Sequence, residues 1–321
     1  MTSGTIEAPA CAADAQEGGV RLADGSRQGL GGLTLEELQQ LQWEQEQLFA
    51  RAIQAAPKGS PERTAAIGHA YDTVCTILTA QARRRDPQAS GLVMGLDRRY
   101  VRLVLETLQR QRRCGFERPS LFEVGYGSGL LLAQVAAAGY PVGGIEISRT
   151  MRDQAVERLG AEHADALLLG SLRDADPQPP TGRPTLVYWN DVFEHIPTDE
   201  IDDYLRDIHR VLDPRGWLIT ITPNWLLRPS DVTVDFCPPR TAARGLHLKE
   251  YRLGEVTRLL RRNGFRRVVT PLCSTRARIH LAGDGGRAVK ESVEAWIDRL
   301  PLKWARLLCR GLAMSCTIAM K

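Results

Sequence analysis

Between Leu33 and Arg113 the apolar residues return at helical spacing. Thr34 and Glu37 form a capping box, with Leu33 and Leu38 at the staple positions. The predicted helix carries Leu38, Leu41, Leu48, Ala52 and Ile53 and stops near Pro57. Ser60-Pro61 supplies the N-cap and first-turn proline of a second helix, marked by Ile67, Ala70, Tyr71, Val74, Ile77 and Leu78. A third stretch, Asp97–Arg113, ends at a Gly115/Pro119 break. After residue 119 the period changes. Strand-like runs at Leu121–Gly125, Val142–Ile147, Ala166–Leu169, Leu186–Asn190 and Trp217–Thr222 alternate with helices at Leu130–Ala138, Arg149–Leu159 and Ile201–Leu212. That alternation predicts an α/β fold with a doubly wound parallel sheet. Phe265–Cys273 and Met314–Met320 are the last predicted strands, with 286–311 helical between them. Residues 1–32 lack periodicity and are expected to be a disordered tail, 33–115 a helical N-terminal cap, and 119–321 the sheet domain.

Composition narrows the class. The 321 residues are 43% hydrophobic and 25% charged, which excludes a disordered, collagen-like or membrane chain. A formal net charge of +4 is too small to mark the whole chain as a nucleic-acid binder. The seven cysteines are scattered without a CxxC pair, so neither a disulfide framework nor a zinc ribbon is expected, and a reducing cytoplasm fits. The first residues lack the basic and apolar regions of a signal peptide, and Lys303, Arg306 and Arg310 interrupt the last apolar stretch. Only five of the 42 basic residues are Lys, a skew that reads as a GC-rich, bacterial genome.

The chemistry concentrates at Leu121-Phe122-Glu123-Val124-Gly125-Tyr126-Gly127-Ser128-Gly129, a strand end that opens a helix. Leu130 stands where a dinucleotide fingerprint needs its third glycine, and no Gly-Lys-Ser/Thr follows, so nicotinamide and P-loop chemistry are set aside. Alone, the segment could be just a tight turn. However, Glu146 ends the next strand 21 residues after Gly125, where a carboxylate can take both hydroxyls of a ribose. Glu123 can accept from an ammonium group, and Gly170-Ser171-Leu172 can meet an adenine edge.

With Asn190-Asp191-Val192-Phe193-Glu194-His195-Ile196-Pro197, Arg210–Gly216, Thr222-Pro223-Asn224 and His247–Tyr251, these segments resemble the S-adenosylmethionine-dependent methyltransferases of the Rossmann-like class over about residues 119–321. The resemblance implies a seven-stranded sheet with an antiparallel last strand, which Met314–Met320 would supply. It implies S-adenosylmethionine as cofactor, with Gly125, Gly127 and Gly129 under its methionine part and Glu123 near the amino group. Glu146 and Ile147 would lie by the ribose, Ser171 and Leu172 by the adenine, and Asn190 near the sulfonium. Arg98 would pair with the cofactor carboxylate and Tyr71 reach over it. Many relatives carry an acidic residue where this chain has Ser171. The Asn/Asp-Pro-Pro-Tyr motif of amide and base methylation is absent after the fourth strand.

Asp191, Glu194 and His195 share one turn if that segment is helical. They resemble the carboxylate-carboxylate-histidine set of the ubiquinone-pathway O-methyltransferases, where such groups can hold a divalent metal. Three side chains do not complete a site, so no metal is assigned here and His195 is taken as general base or orienting group, its ordinary pKa lying near neutrality. A long insertion, Trp225–Leu246, follows the fifth strand and would form a lid over 225–249, placing His247 at the same sheet edge. Trp225, Phe236 and Tyr251 are candidates to line an apolar acceptor pocket. The eleven Arg or Lys of 240–278 read either as a dock for an anionic substrate or as solvated surface, and the second is preferred. The whole describes a methyltransferase acting on a small-molecule acceptor, most simply a hydroxyl, without nucleic acid or membrane as partner. The competing readings are an RNA-directed methyltransferase and a non-catalytic cofactor-binding partner protein.

Overall fold

Along each central strand the side chains alternate between two apolar layers, and this decides the architecture. The computed structural model describes residues 19–87, 96–173 and 182–321. A short hairpin, β1 (Val20–Arg21) and β2 (Arg27–Gln28), precedes helices α1 (Leu35–Ala55), α2 (Pro61–Arg85) and α3 (Arg98–Arg113). The sheet domain follows with β3 (Leu121–Val124), α4 (Leu130–Ala137), β4 (Val142–Glu146), α5 (Arg149–Leu159), β5 (Leu167–Leu169), β6 (Leu186–Asn190), α6 (Ile201–Val211) and β7 (Trp217–Ile221). Beyond them come a single turn α7 (Thr233–Phe236), α8 (Leu253–Arg262), β8 (Arg267–Val269), a hairpin of β9 (Cys273–Ser274) with β10 (Ile279–His280), α9 (Arg287–Ile297), α10 (Leu302–Gly311) and β11 (Cys316–Met320).

Seven strands form one sheet in the order β5-β4-β3-β6-β7-β11-β8. Only β11 runs antiparallel, pairing Cys316 with Ile221 and Ile318 with Val269. The expected doubly wound Rossmann-like sheet with its antiparallel last strand is therefore present. On one face Leu121, Tyr188, Ile219 and Ile318 pack with α3, α4 and α5. On the other, Phe122, Val187, Trp189 and Leu218 pack with α6 and α8. The reversal of strand order between β3 and β6 opens a crevice at the carboxyl edge, the usual ligand position in such sheets.

Local signals form as read. Thr34 and Glu37 exchange capping bonds, Ser60 accepts from the Arg63 amide, and the Gly216 amide closes the Asp213 turn at 2.7 Å. Four expectations change. The tail expected over 1–32 is ordered from Gly19: Val20 is buried with Leu38 and Ile77, which fixes the hairpin; residues 1–18, with Cys11, lie outside the described residues. The buried face of α1 is not the apolar stripe expected, for Leu48 and Ala52 are exposed while Gln42, Gln45 and Glu46 are buried. A hydrogen-bond network accounts for this: Gln42 donates to Glu46, Gln81 donates to Gln42, and Glu46 accepts from the Leu246 amide. The segment 33–115 also divides. Its α1 and α2 pack with Leu246, whereas α3 buries Leu103, Val104 and Leu108 against the sheet. Finally, Phe265–Cys273 is not one strand, because it splits into β8 and β9, which belong to different sheets.

The cap is fastened by a buried ion pair. Arg63 of α2 is 4% exposed and reaches Glu200, 3% exposed, at 2.9 Å and Asp199 at 2.8 Å. The Gly59 amide also donates to Glu200. Removing one member of a buried pair strands the other, so Arg63→Ala should cost about 3 kcal/mol. Urea unfolding checks this; a loss within experimental error would show that the cap is not held there.

Candidate active site

The glycine turn joining β3 to α4 is shaped by close approaches. A Cβ on Gly125 would lie 2.5 Å from Val192 Cγ2, and one on Gly129 would lie 2.7 Å from Leu159. Gly127 differs: its φ is +53°, yet nothing stands within 4 Å of its Cβ direction. It therefore faces open space that a ligand can use and a side chain would fill. Below the turn, Glu123 is 6% exposed and its Oε2 has no partner among the described residues. Burial, with Glu146 adding repulsion, holds its carboxyl well above the usual range. Glu146 is bound by three backbone amides: Oε1 accepts from Ile147 and Ser148, and Oε2 from Gly127, all at 2.9 Å. Burial raises its pKa and these amides oppose the rise.

The remaining cofactor candidates are distributed unevenly. The Oδ1 of Asn190 is buried without a partner, while its amide donates to Asp191. Ser171 Oγ lies 3.1 Å from the Tyr204 hydroxyl. Leu172 packs into the core beneath the sheet, which leaves its backbone rather than its side chain for an adenine. Ile147 faces the cap, where a Cβ on Gly68 would lie 3.8 Å from its Cγ1. Arg98 is exposed at the start of α3, and Tyr100, two residues on, is the one that lines a cavity.

That cavity holds about 390 Å³ beyond β6 and β7, lined among others by Tyr100, Asp191, Thr222, Ser230, Arg306 and Arg310. Asp191 adopts φ +52°, a left-handed conformation at the strand end that turns its carboxylate out beside Asn190. The aromatic lining expected from sequence does not form. Trp225 sits under the Arg228 guanidinium, 4.1 Å from its ring centroid, Phe236 stacks on Trp43, and Tyr251 is fully buried against Phe193. Leu227, Pro229 and Val234 of the same insertion line the cavity instead.

Behind it lies a buried polar cluster that joins distant parts of the chain. Glu194, fully buried, accepts from the Thr222 hydroxyl, and its Oε1 lies 3.9 Å from His247 Nε2. His247 Nδ1 lies 3.5 Å from Glu250. The His195 ring meets His247 edge-on at 4.7 Å and Tyr71 at 5.6 Å. His195 Nδ1 donates to the Leu246 carbonyl at 2.9 Å, which leaves Nε2 as a lone-pair acceptor. Burial, and then the His247 charge, pushes His195 down to about 3. The ring is thus held in its neutral form. Burial, and then Asp191, raises Glu194 to about 8. Burial opposes charge on His247, but Glu250, Glu194 and Asp231 overcome it and raise His247 to about 9. One ligand atom from each of Glu194, His195 and His247 lies within 4.8 Å of the others, so these three are the residues able to hold a cation. Asp191 lines the cavity and also interacts with Glu194, but it is not one of that trio. The basic run is largely surface: Lys249, Arg252, Arg262 and Arg278 pair with Glu255, Asp298, Asp202 and Glu106.

Sequence reasoning missed Glu46, Tyr100, Arg306 and Arg310. The i, i+4 spacing of the two arginines on one helix was the available signal.

The family model described as methyltransferase domain matches residues 95–270, over half of the chain. No curated protein matches it. Among solved structures, a SAM-dependent methyltransferase from Archaeoglobus fulgidus is 14% identical, with 69% of this chain and 94% of that chain covered and a TM-score of 0.43. Magnesium protoporphyrin IX methyltransferase from Synechocystis is 20% identical, with 66% and 94% covered and a TM-score of 0.44. A phosphoethanolamine N-methyltransferase 2 from Haemonchus contortus is 16% identical, with 69% of this chain but only 52% of that chain covered and a TM-score of 0.41. Among the described residues no helix is long and apolar enough to cross a membrane.

The cluster has a pH signature. His247 stands at about 9 against an ordinary 6.5, so the folded protein keeps a proton that the unfolded chain releases. The stability this contributes is complete below 6.5 and is lost as the pH rises through 9. Melting temperatures of the chelator-treated protein should fall across that window, and fall less in His247→Gln. Equal slopes in the two proteins would place the proton elsewhere.

Proposed function

The chain belongs to the methyltransferase-domain family and is an S-adenosylmethionine-dependent enzyme, and from that premise we propose that it methylates a small-molecule acceptor, most simply at a hydroxyl oxygen. What supports this reading is that two features share one sheet edge. The glycine turn with the unpaired Glu123 carboxylate lies over β3 and β4, and the 390 Å³ cavity lies beyond β6 and β7. A cavity of this size, walled by the insertion and by α10, suits a small ligand better than a duplex.

The residues present fit the donor. Gly127 offers backbone to an open space, and Glu123 Oε2 is a buried acceptor that an ammonium group would satisfy. Glu146 Oε2, with one amide bound, has capacity left for a ribose hydroxyl. Asn190 Oδ1 marks the boundary between donor and acceptor sides. When bound, S-adenosylmethionine supplies a sulfonium-activated methyl group that an acceptor oxygen takes by in-line displacement. The protein's share is alignment, exclusion of water and removal of one proton.

Asp191 is the carboxylate at the cavity wall and orients the acceptor hydroxyl. Thr222 also lines the cavity and donates to Glu194. The hydroxyl proton has a route through it to Glu194, whose ionised form, favoured as the pH rises through about 8, can take it. His195, neutral and tied to Leu246, positions the segment after the insertion. Helices α1 and α2 act as a cap, holding that segment through Glu46 and the β4–α5 turn through Asp72, which accepts from Ser148 at 2.6 Å. This assignment needs no metal.

Glu123→Gln tests the donor site. It removes an unpaired buried carboxyl that the free protein tolerates at a cost, so the melting temperature should hold or rise. Donor affinity should nevertheless fall about tenfold, as for one lost charged hydrogen bond. Calorimetry with S-adenosylhomocysteine reads this, and unchanged affinity would remove Glu123 from the site. Incubating cell extract with protein and labelled donor should place label in the small-molecule fraction. Label confined to RNA would overturn the acceptor class, and loss of turnover with chelator would overturn the metal-free assignment.

A further inference from the structure

Two arginines at the cavity are in no ion pair among the described residues. Arg306 and Arg310 lie four residues apart on α10 and both line the cavity. Among the described residues neither has a carboxylate partner, although many of the chain's other arginines do, Arg63, Arg99, Arg173, Arg228, Arg252 and Arg262 among them. Their placement follows from how α10 is packed. Ala305 and Cys309 are each 1% exposed and bury one stripe of the helix in a cluster with Leu226 of the insertion and Met314. The residue after each lies about 100° further round the helix. Arg306 is consequently half-buried at the cavity and Arg310 exposed at its rim. Ser230 Oγ, on the same lining, is buried without a partner, and Ser315 adds a second hydroxyl. The carboxylate in the lining is Asp191, engaged by the Asn190 amide at the end of β6.

The cavity is therefore bipolar, with an acidic wall at the strand ends and a basic clamp on α10. We propose that the acceptor is an anion, whose carboxylate or phosphate is held by Arg306 and Arg310 while its methyl-accepting group points to Asp191. Paired guanidinium forks match the geometry of both oxyanions. A neutral acceptor would leave the half-buried Arg306 without a carboxylate or phosphate partner, and a cationic one would be repelled by both arginines. The word acceptor rests on the methyl-transfer reading; the anion site does not depend on it.

The test uses the full chain and calorimetry with benzoate and phenyl phosphate as probes and benzamide as neutral control, each with and without S-adenosylhomocysteine. At least one anion should bind, benzamide should bind far more weakly, and the stronger anion identifies carboxylate or phosphate. In Arg306→Gln/Arg310→Gln affinity for that anion should drop about tenfold or more, with S-adenosylhomocysteine affinity unchanged. The Arg306→Lys/Arg310→Lys protein should recover part of it, since charge is kept and the fork is lost. Binding should weaken with added salt, as the clamp is partly exposed. Failure of both anions to bind the wild type, or equal binding by the Gln variant, overturns the proposal. If the arginine-dependent binding holds but S-adenosylhomocysteine does not bind, the methyl-donor reading fails and the anion site stands.

Discussion

The geometry of the proposed donor side hangs on one carboxylate. Glu146 ends β4 and accepts amides from two neighbouring turns, Gly127 on one side and Ile147 and Ser148 on the other. Those amides belong to the turns that lead into α4 and α5, so one side chain ties the two turns together. The same bonds fix the distance between the glycine turn and β4. Ser148, once placed, donates to Asp72 of α2 and accepts from Met151 as the N-cap of α5. The cap's position over the sheet edge is thus tied to the turn that would cradle the donor.

The proposed acceptor side is built on different physics. Its polar groups come from strand ends, the insertion and the cap, and several remain unsatisfied: Glu194 Oε1, Glu250 Oε2 and His247 Nδ1 are buried without hydrogen-bond partners. A core residue in that state would be strongly selected against. Here the unsatisfied atoms surround a group of opposite charges, Glu194 and Glu250 about His247, that can hold and release a proton. Stability is given up at this edge, and the two apolar layers of the sheet and the Arg63 anchor supply it elsewhere.

Legibility in the sequence followed the range of the interaction. The capping box at Thr34, the Ser60-Pro61 start, the glycine turn and the Asp213 turn depend on residues a few positions apart, and all were readable. The parallel sheet was readable too, because strand-like runs alternate with helices, and the antiparallel last strand came with the family resemblance. The α1 stripe misled because Gln42, Gln45 and Glu46 are buried by partners on α2 and the insertion, which no window on α1 contains. Spacing placed Asp191 with Glu194 and His195 on one turn. In the structure Asp191 sits at positive φ on the cavity wall, and His247, 56 residues further on, joins Glu194 and His195. The aromatic residues of the insertion were equally unreadable, since packing against Trp43 or under Arg228 is a tertiary choice.

Arg306 and Arg310 show the same limit from the other direction. In sequence they only interrupt an apolar run, and their meaning depends on which face of α10 is buried. That face is chosen by Ala305 and Cys309, small enough to let the helix approach Leu226. The helix and the insertion consequently share one apolar contact and form adjoining walls of one cavity. A substitution that shifts this contact would move the basic clamp relative to Asp191 without touching Glu146 or the glycine turn. On the proposed reading, acceptor choice and donor binding are therefore mechanically separate. The donor side is held by backbone amides that a side-chain change barely alters, whereas the acceptor side is held by side chains that each change re-sets. Variation in the insertion and α10 can retune what is methylated while the methyl donor's site stays fixed.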